Sequence, residues 1–253
     1  MRTNHIKAKL KAGETVHGCF IRYPDASLIE VQGYFGWDFL IFDAEHGTLE
    51  PRDCENMVRA ADLRNVTSLV RVTTNTAPTI LRLMDTGVQG VHVPWVNTAA
   101  EAERAVRSVK YHPLGSRGLA GVRAADFAQA GTFGDYVQTA NSETMLVLQI
   151  ESPEAINELP AIIEQDGIDA IFIGPTDLSH SLGLPGQIQH PVVQATIQKI
   201  VDLVAPSKVA LGILVGTAQA AREWKDRGAR YIVTTLEAMM APAIRDYLKR
   251  VRN

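Results

Sequence analysis

Sulfur is scarce in this chain: 253 residues hold two cysteines, Cys19 and Cys54, and neither has metal-ligand spacing. A disulfide framework and a thiolate metal site are therefore not indicated. Long apolar runs are missing as well; no stretch approaches the roughly 18 consecutive apolar residues that a membrane span needs. Residues 1–11 are polar and basic, without the apolar core of a secretory signal. Charge of one sign is also lacking. With 25 basic and 28 acidic residues the net charge is −3, which gives no reason to expect nucleic acid or an anionic membrane as partner. These absences lead us to expect a soluble, cytoplasmic, globular chain.

What is present is alternation. The apolar fraction of 46% is ample for a large core. Eight short apolar runs read as strands: Val16-His17-Gly18-Cys19-Phe20-Ile21, Phe39-Leu40-Ile41-Phe42, Ser68-Leu69-Val70-Arg71-Val72, Gly90-Val91-His92-Val93-Pro94, residues 145–150, Ala170-Ile171-Phe172-Ile173, Val209-Ala210-Leu211-Gly212-Ile213-Leu214 and Tyr231-Ile232-Val233-Thr234-Thr235. A helical pattern follows each, the last over residues 241–251. The strands are continuously apolar rather than alternating, as in sheets buried on both faces. That pattern predicts a single (β/α)8 TIM barrel domain over residues 1–253. A doubly wound open sheet would carry a glycine-rich phosphate loop after the first strand, and Ile21-Arg22-Tyr23-Pro24-Asp25 is nothing like one. No composition break marks a linker. Residues 111–142 are too long for an ordinary connector, which argues for a functional loop with short helices of its own.

In a barrel the chemistry sits at the carboxyl ends of the strands. The polar residues falling there are Asp43 and His46, Arg71, Gln149 and Glu151, then Gly174, Pro175, Thr176 and Asp177. Glu151 and Asp177 close neighbouring strands, so their carboxylates would converge, and carboxylates that close repel unless a proton or cation lies between them. Oxygen ligands of this kind suit a hard divalent ion. The plainer alternative is that Glu151 and Asp177 merely cap the helices that follow. Arg71 interrupts an apolar strand and so needs an anion, from a neighbouring carboxylate or a substrate. His46 could be an inert loop histidine. Asp85 closes a helix that leads into a strand, placing it at the far end of its own barrel; a solvent-facing role is the default unless another subunit uses it. No lysine projects from a strand into the mouth, so imine chemistry is not expected. Lewis-acid activation of a carbonyl by a metal is the remaining route to the same result. No organic cofactor is expected.

Taken in order, Asp43-Ala44-Glu45-His46-Gly47, Leu69-Val70-Arg71-Val72, Tyr111-His112-Pro113-Leu114-Gly115-Ser116-Arg117-Gly118, Gln149-Ile150-Glu151 and Phe172-Ile173-Gly174-Pro175-Thr176-Asp177-Leu178 resemble the motifs of the HpcH/HpaI aldolase family, class II pyruvate aldolases of the phosphoenolpyruvate/pyruvate barrel superfamily. The resemblance implies a divalent ion (Mg²⁺, Mn²⁺ or Co²⁺) on Glu151 and Asp177, chelating pyruvate. It implies backbone N–H groups of residues 174–177 on the pyruvate carboxylate, Arg71 on the enolate oxygen and Gln149 placing the ligand. His46, with Asp43 nearby, would move protons through water. Asp85 would pair with the histidine of an adjacent subunit, and Leu214 would line the aldehyde pocket. It further implies a homo-oligomer, a hexamer built as a trimer of dimers with exchanged C-terminal helices, with residues 241–251 as the candidate helix. Two departures stand out: Thr235-Leu236-Glu237 replaces a usual Gly-x-Asp, and His112 replaces a common proline.

The expected function is reversible cleavage of 4-hydroxy-2-oxo acids to pyruvate and an aldehyde through a metal-stabilised enolate. Two rivals are a citrate synthase- or lyase-like reaction using the same enolate machinery, and a non-catalytic 2-oxo acid binder. The aldehyde pocket is expected from residues 111–142 and a neighbouring subunit.

Overall fold

The structure is a computed structural model that describes residues 2–252. Eight parallel strands close into a barrel in sequence order, and the last pairs with the first. In chain order the elements are α1 (His5–Lys11), β1 (Val16–Ile21), α2 (Ala26–Gly33), β2 (Phe39–Asp43), α3 (Pro51–Leu63), β3 (Thr67–Arg71), α4 (Ala77–Met84), β4 (Gly90–Val93), α5 (Ala99–Val109), a 3-10 helix (Arg123–Ala128), α6 (Phe133–Glu143), β5 (Met145–Ile150), α7 (Pro153–Ile163), β6 (Ala170–Ile173), α8 (Pro175–Ser181), α9 (Pro191–Val204), β7 (Ala210–Leu214), α10 (Ala218–Asp226), β8 (Tyr231–Thr235) and α11 (Leu236–Arg252).

Burial on both faces explains why the strands read as unbroken apolar runs. One side chain set fills the barrel: Phe20, Phe39, Ile41, Leu69, Val147, Phe172, Tyr231 and Val233. The alternate set, including Ile21, Leu40, Phe42, Val70, Leu148, Ile171 and Ile213, meets the surrounding helices. Inside, Phe39 stacks on Tyr231 with centroids 4.4 Å apart, and Gly18 makes this possible because a Cβ there would fall inside the Phe39 ring. The helices start where local chemistry says they should. Proline opens α3, α7, α8 and α9, where its missing N–H costs nothing. Thr98, Thr132, Ser152 and Thr217 accept from the first-turn N–H groups of α5, α6, α7 and α10, caps worth about 1 kcal/mol each.

Residues 1–11, polar and basic in the sequence, contain α1, whose Ile6 is buried among the barrel-interior residues. One buried residue in a seven-residue helix leaves no periodic signal. Residues 111–142 do carry helices of their own, but they follow α5 and precede β5, so they pack at the amino end of the barrel. There Arg123 reaches Asp62 at 2.7 Å and the Thr86 carbonyl at 3.1 Å. This segment is therefore remote from its own barrel mouth, where the sequence leads us to expect part of the aldehyde pocket. The final helix begins directly after β8 and is longer than the sequence pattern indicated. Its Met240, Ile244, Tyr247 and Val251 recur at helical spacing and are exposed.

Candidate active site

Register brings the mouth together. Asp43 ends β2 opposite Arg71 at the end of β3, and Arg71 lies opposite His92 on β4. Asp43 is fully buried and takes both arms of the guanidinium, Arg71 Nε at 2.8 Å and Nη2 at 2.6 Å. Such a planar, bidentate pair fixes the guanidinium in space. Burial alone would raise the Asp43 pKa, but the Arg71 hydrogen bonds and charge, the His46 N–H and Arg22 outweigh it and hold the carboxyl below its ordinary value. Arg71 in turn stays charged: burial opposes the cation, and Asp43, Glu45 and Glu151 more than offset it. Its guanidinium carbon also sits 4.5 Å from the centre of the Phe20 ring.

Glu151 is 1% exposed. Its Oε1 accepts from Gln149 Nε2 at 2.6 Å, and its Oε2 accepts from the Trp95 N–H at 3.2 Å. Trp95 reaches it from a left-handed backbone conformation (φ 54°), a strained state for a non-glycine residue. Ser181 Oγ donates to the Glu151 carbonyl at 2.7 Å, tying α8 to the end of β5. Burial, then the nearby Asp177 charge, push the Glu151 carboxyl up to about 7. Asp177 is half-buried in the first turn of α8, with Gly174 and Pro175 buried and Thr176 exposed. Leu214, half-buried at the end of β7, packs against the barrel-interior cluster.

His46 is less engaged than its neighbours. Its side chain is exposed, with Nε2 3.9 Å from Glu45 Oε2, and its link to Asp43 is through the backbone N–H at 3.2 Å. Asp43 therefore shapes the loop under His46 rather than orienting its ring. Asp85 is not in this cluster. It lies at the opposite end of the barrel, 2.8 Å from Arg117 Nη2. The lysine with the lowered pKa, Lys110, is there too; burial and then Lys7 bring it down to about 8 while its Nζ donates to Thr144 and Asn141.

Two residues of the cluster went unremarked in the sequence. Glu45, half-buried, places Oε2 3.2 Å from Arg71 Nη1, and its pKa is raised by burial against the pull of Arg71. Arg22 follows β1 and gives Asp43 a second cation at 3.1 Å, with Glu237 3.8 Å beyond it. The same strand-end rule that picked Asp43 and Arg71 reaches Arg22 when applied to β1, and Glu45 lies inside a motif already quoted. Through Glu237, the departure at residues 235–237 connects to the site.

Could these residues hold a divalent ion? Among the described residues, no three His, Cys, Asp or Glu side chains are grouped to enclose a metal. A closed structural site is not built here. Glu151 and Asp177 form an all-oxygen, dianionic set, which leaves the other positions of a hard ion to water and substrate oxygens. A Cβ on Gly174 would stand 2.5 Å from Glu151 Oε1, so the glycine keeps the β6 side of that oxygen clear of side chain. Burial first, and the Asp177 charge second, raise the Glu151 carboxyl, and a cation between the two carboxylates would oppose both effects. The residues fit the ion.

The profile of the HpcH/HpaI aldolase/citrate lyase family matches residues 17–241. This chain belongs to that family. Membership makes it, by class, a carbon–carbon lyase. A hydroxypyruvate/pyruvate aldolase of Roseobacter denitrificans is 35% identical over 239 residues, covering 94% of this chain and 92% of its own. A 4-hydroxy-2-oxo-heptane-1,7-dioate aldolase of Escherichia coli is 35% identical over 245 residues, covering 95% and 93%. The crystal structure of a family member from Burkholderia cenocepacia superposes with a TM-score of 0.94 at 32% identity, covering 99% of this chain and 100% of that one.

Proposed function

We propose that this family member is a divalent-metal-dependent aldolase that cleaves 4-hydroxy-2-oxo acids reversibly to pyruvate and an aldehyde. The observation that carries the reading is the buried Glu151 carboxylate, beside Asp177 and facing the charge of Arg71. Glu151 and Asp177 would hold the ion. A divalent cation there supplies Lewis acidity to the C2 carbonyl of a bound 2-oxo acid and so makes the adjacent C3–H acidic. The remaining work falls to the chain. Arg71, immobilised by Asp43, presents a preorganised positive charge to the oxygen that gains electron density as C3–C4 breaks. Its Nη1, held by Glu45, is the arm that a substrate oxygen would take over. The first-turn N–H groups of Thr176 and Asp177 would receive the substrate carboxylate, and Gln149 would steady Glu151. His46, exposed at the rim, would pass the proton through water. Leu214 would meet the aldehyde portion. The names of the two relatives, a hydroxypyruvate/pyruvate aldolase and a 4-hydroxy-2-oxo-heptane-1,7-dioate aldolase, support aldolase chemistry on a 2-oxo acid.

For assembly we propose a homo-oligomer, a hexamer whose α11 helices are exchanged between copies. The exposed stripe of Met240, Ile244, Tyr247 and Val251 supports this, as an apolar helix face that wants cover. Asp85 would then serve the mouth of an adjacent subunit. No helix of the described residues is long and apolar enough to cross a membrane. Two free, buried cysteines suit a reducing compartment, and we place the protein in the cytoplasm.

The test is chelation. Pyruvate release from a 4-hydroxy-2-oxo acid should stop in EDTA and return with Mg²⁺, Mn²⁺ or Co²⁺. Release indifferent to chelation would end the proposal.

A further inference from the structure

One histidine stands inside the barrel, among rings. His92 is fully buried, with the Phe20, Phe172 and Tyr231 centroids 5.7, 5.2 and 5.5 Å from its own. Its Nε2 lies 2.6 Å from the Tyr231 hydroxyl, and its Nδ1 is buried with no hydrogen-bond partner. Among the described residues the Tyr231 hydroxyl has His92 as its one hydrogen-bond partner. Burial and then the Arg71 charge hold the imidazole well below its ordinary pKa, and burial holds the phenol well above its own, so both are neutral.

A neutral phenol must donate somewhere, and Nε2 is the acceptor present. The imidazole proton therefore sits on Nδ1. That makes Nδ1–H a buried donor without an acceptor, a condition that costs about 1–3 kcal/mol if left so. The complementary atom is on the next strand. Gln149 Oε1 is a buried acceptor without a partner. His92 pairs in register with Val147 of β5, and Gln149 follows two residues on, on the same barrel-facing side. Gln149 Nε2 already donates to Glu151 Oε1.

We propose that His92 and Tyr231 are positioning residues, acting on Glu151 through one bridging water and Gln149. The chain of donors runs one way: Tyr231 O–H to His92 Nε2, His92 Nδ1–H through water to Gln149 Oε1, Gln149 Nε2–H to Glu151. Its effect is to fix the orientation of the Gln149 amide. Reversed, that amide would turn its oxygen on the Glu151 carboxylate. The consequence for the cation rests on the reading of Glu151 as a ligand given above.

The experiment compares the full-length protein with Tyr231→Phe, which keeps the ring and removes the donor, and with His92→Phe, which suits the aromatic surroundings. Long-range ¹H–¹⁵N spectra report the His92 tautomer, the Gln149 side-chain amide resonances report the relay, and electron paramagnetic resonance reports Mn²⁺ affinity. We expect the Nδ1–H tautomer in the wild type, displaced Gln149 amide resonances in both variants, and Mn²⁺ binding weakened ~10-fold, as for other partners of metal ligands. An Nε2–H tautomer, or Gln149 resonances unmoved in both folded variants, overturns the proposal. Wild-type protein that binds no Mn²⁺ while the tautomer and the Gln149 shifts come out as expected would instead overturn the ligand role of Glu151 and leave the relay standing.

Discussion

Gly174 has no side chain because Glu151 occupies the space. A Cβ at Gly174 would come within 2.5 Å of Glu151 Oε1 and 3.2 Å of its Cγ and Cδ. Gly174 has φ −96°, which any residue adopts, so alanine there would be opposed by the carboxylate alone and not by the backbone. Gly174→Ala should fold, lose about 1–3 kcal/mol as overpacked sites do, and bind Mn²⁺ more weakly than wild type. Thermal melts and calorimetric titration read the two effects separately. Unchanged Mn²⁺ affinity would mean that the position of Glu151 does not govern the ion.

The guanidinium of Arg71 is held by two oxygens of Asp43 and one of Glu45. Lysine keeps the charge and loses the fork. Arg71→Lys should therefore lower kcat on a 4-hydroxy-2-oxo acid by ~10²-fold, the range for loss of a preorganised donor at a developing oxyanion. Steady-state assays check it; a variant within a few-fold of wild type would remove Arg71 from the chemistry.

Asp43 also carries a pH signature. Its folded-state pKa lies below the ordinary 3.8. Its contribution to stability is thus complete above the unfolded value and is lost as pH falls through the lower folded one. Asp43→Asn, which leaves the buried Arg71 charge short of its main partner, should cost about 3–5 kcal/mol near neutrality. The gap between the two proteins in urea unfolding should begin to narrow as pH drops below 3.8, and close only once pH has fallen through the lower folded-state value, where the folded wild type is protonated too. A gap that stays constant into acid would show that the pair contributes nothing as an ion pair.

Asp85 lies across the barrel from the mouth, held by Arg117. If it serves an adjacent subunit, Asp85→Asn and Glu151→Gln should each be inactive as pure oligomers, and subunits mixed after dissociation should regain part of the activity. No regain would confine Asp85 to its own subunit as a structural aspartate.

The barrel was readable because parallel strands buried on both faces must be apolar along their whole length, and β2, β5 and β6 stop at charged or turn residues. The placement of Glu151 and Asp177 near one another was readable from topology, because strand ends at one face of a barrel converge. Other features leave little trace. Helix α1 contributes a single buried side chain, Ile6, to the barrel bottom, which gives no periodicity. Helix α8 starts at Pro175 with only Gly174 between it and β6, and that Gly-Pro pair reads as a turn. Arg22 stands one residue past β1, where the eye stops at the last apolar residue. His92 hides for a different reason: on an apolar strand nothing in one dimension tells that Tyr231, 139 positions away, meets it. Residues 111–142 announced themselves by length, but only topology says at which end of the barrel a segment between a helix and the next strand must lie.

Glu151 and Asp177 together would hold the cation that lets this mouth acidify the C3–H of pyruvate. Proton NMR of pyruvate in D₂O reads it directly. The protein with Mg²⁺ or Mn²⁺ should wash the methyl protons into solvent, and EDTA, or Glu151→Gln with the ion present, should stop the exchange. Exchange at the wild-type rate in the chelated protein or in Glu151→Gln would contradict it.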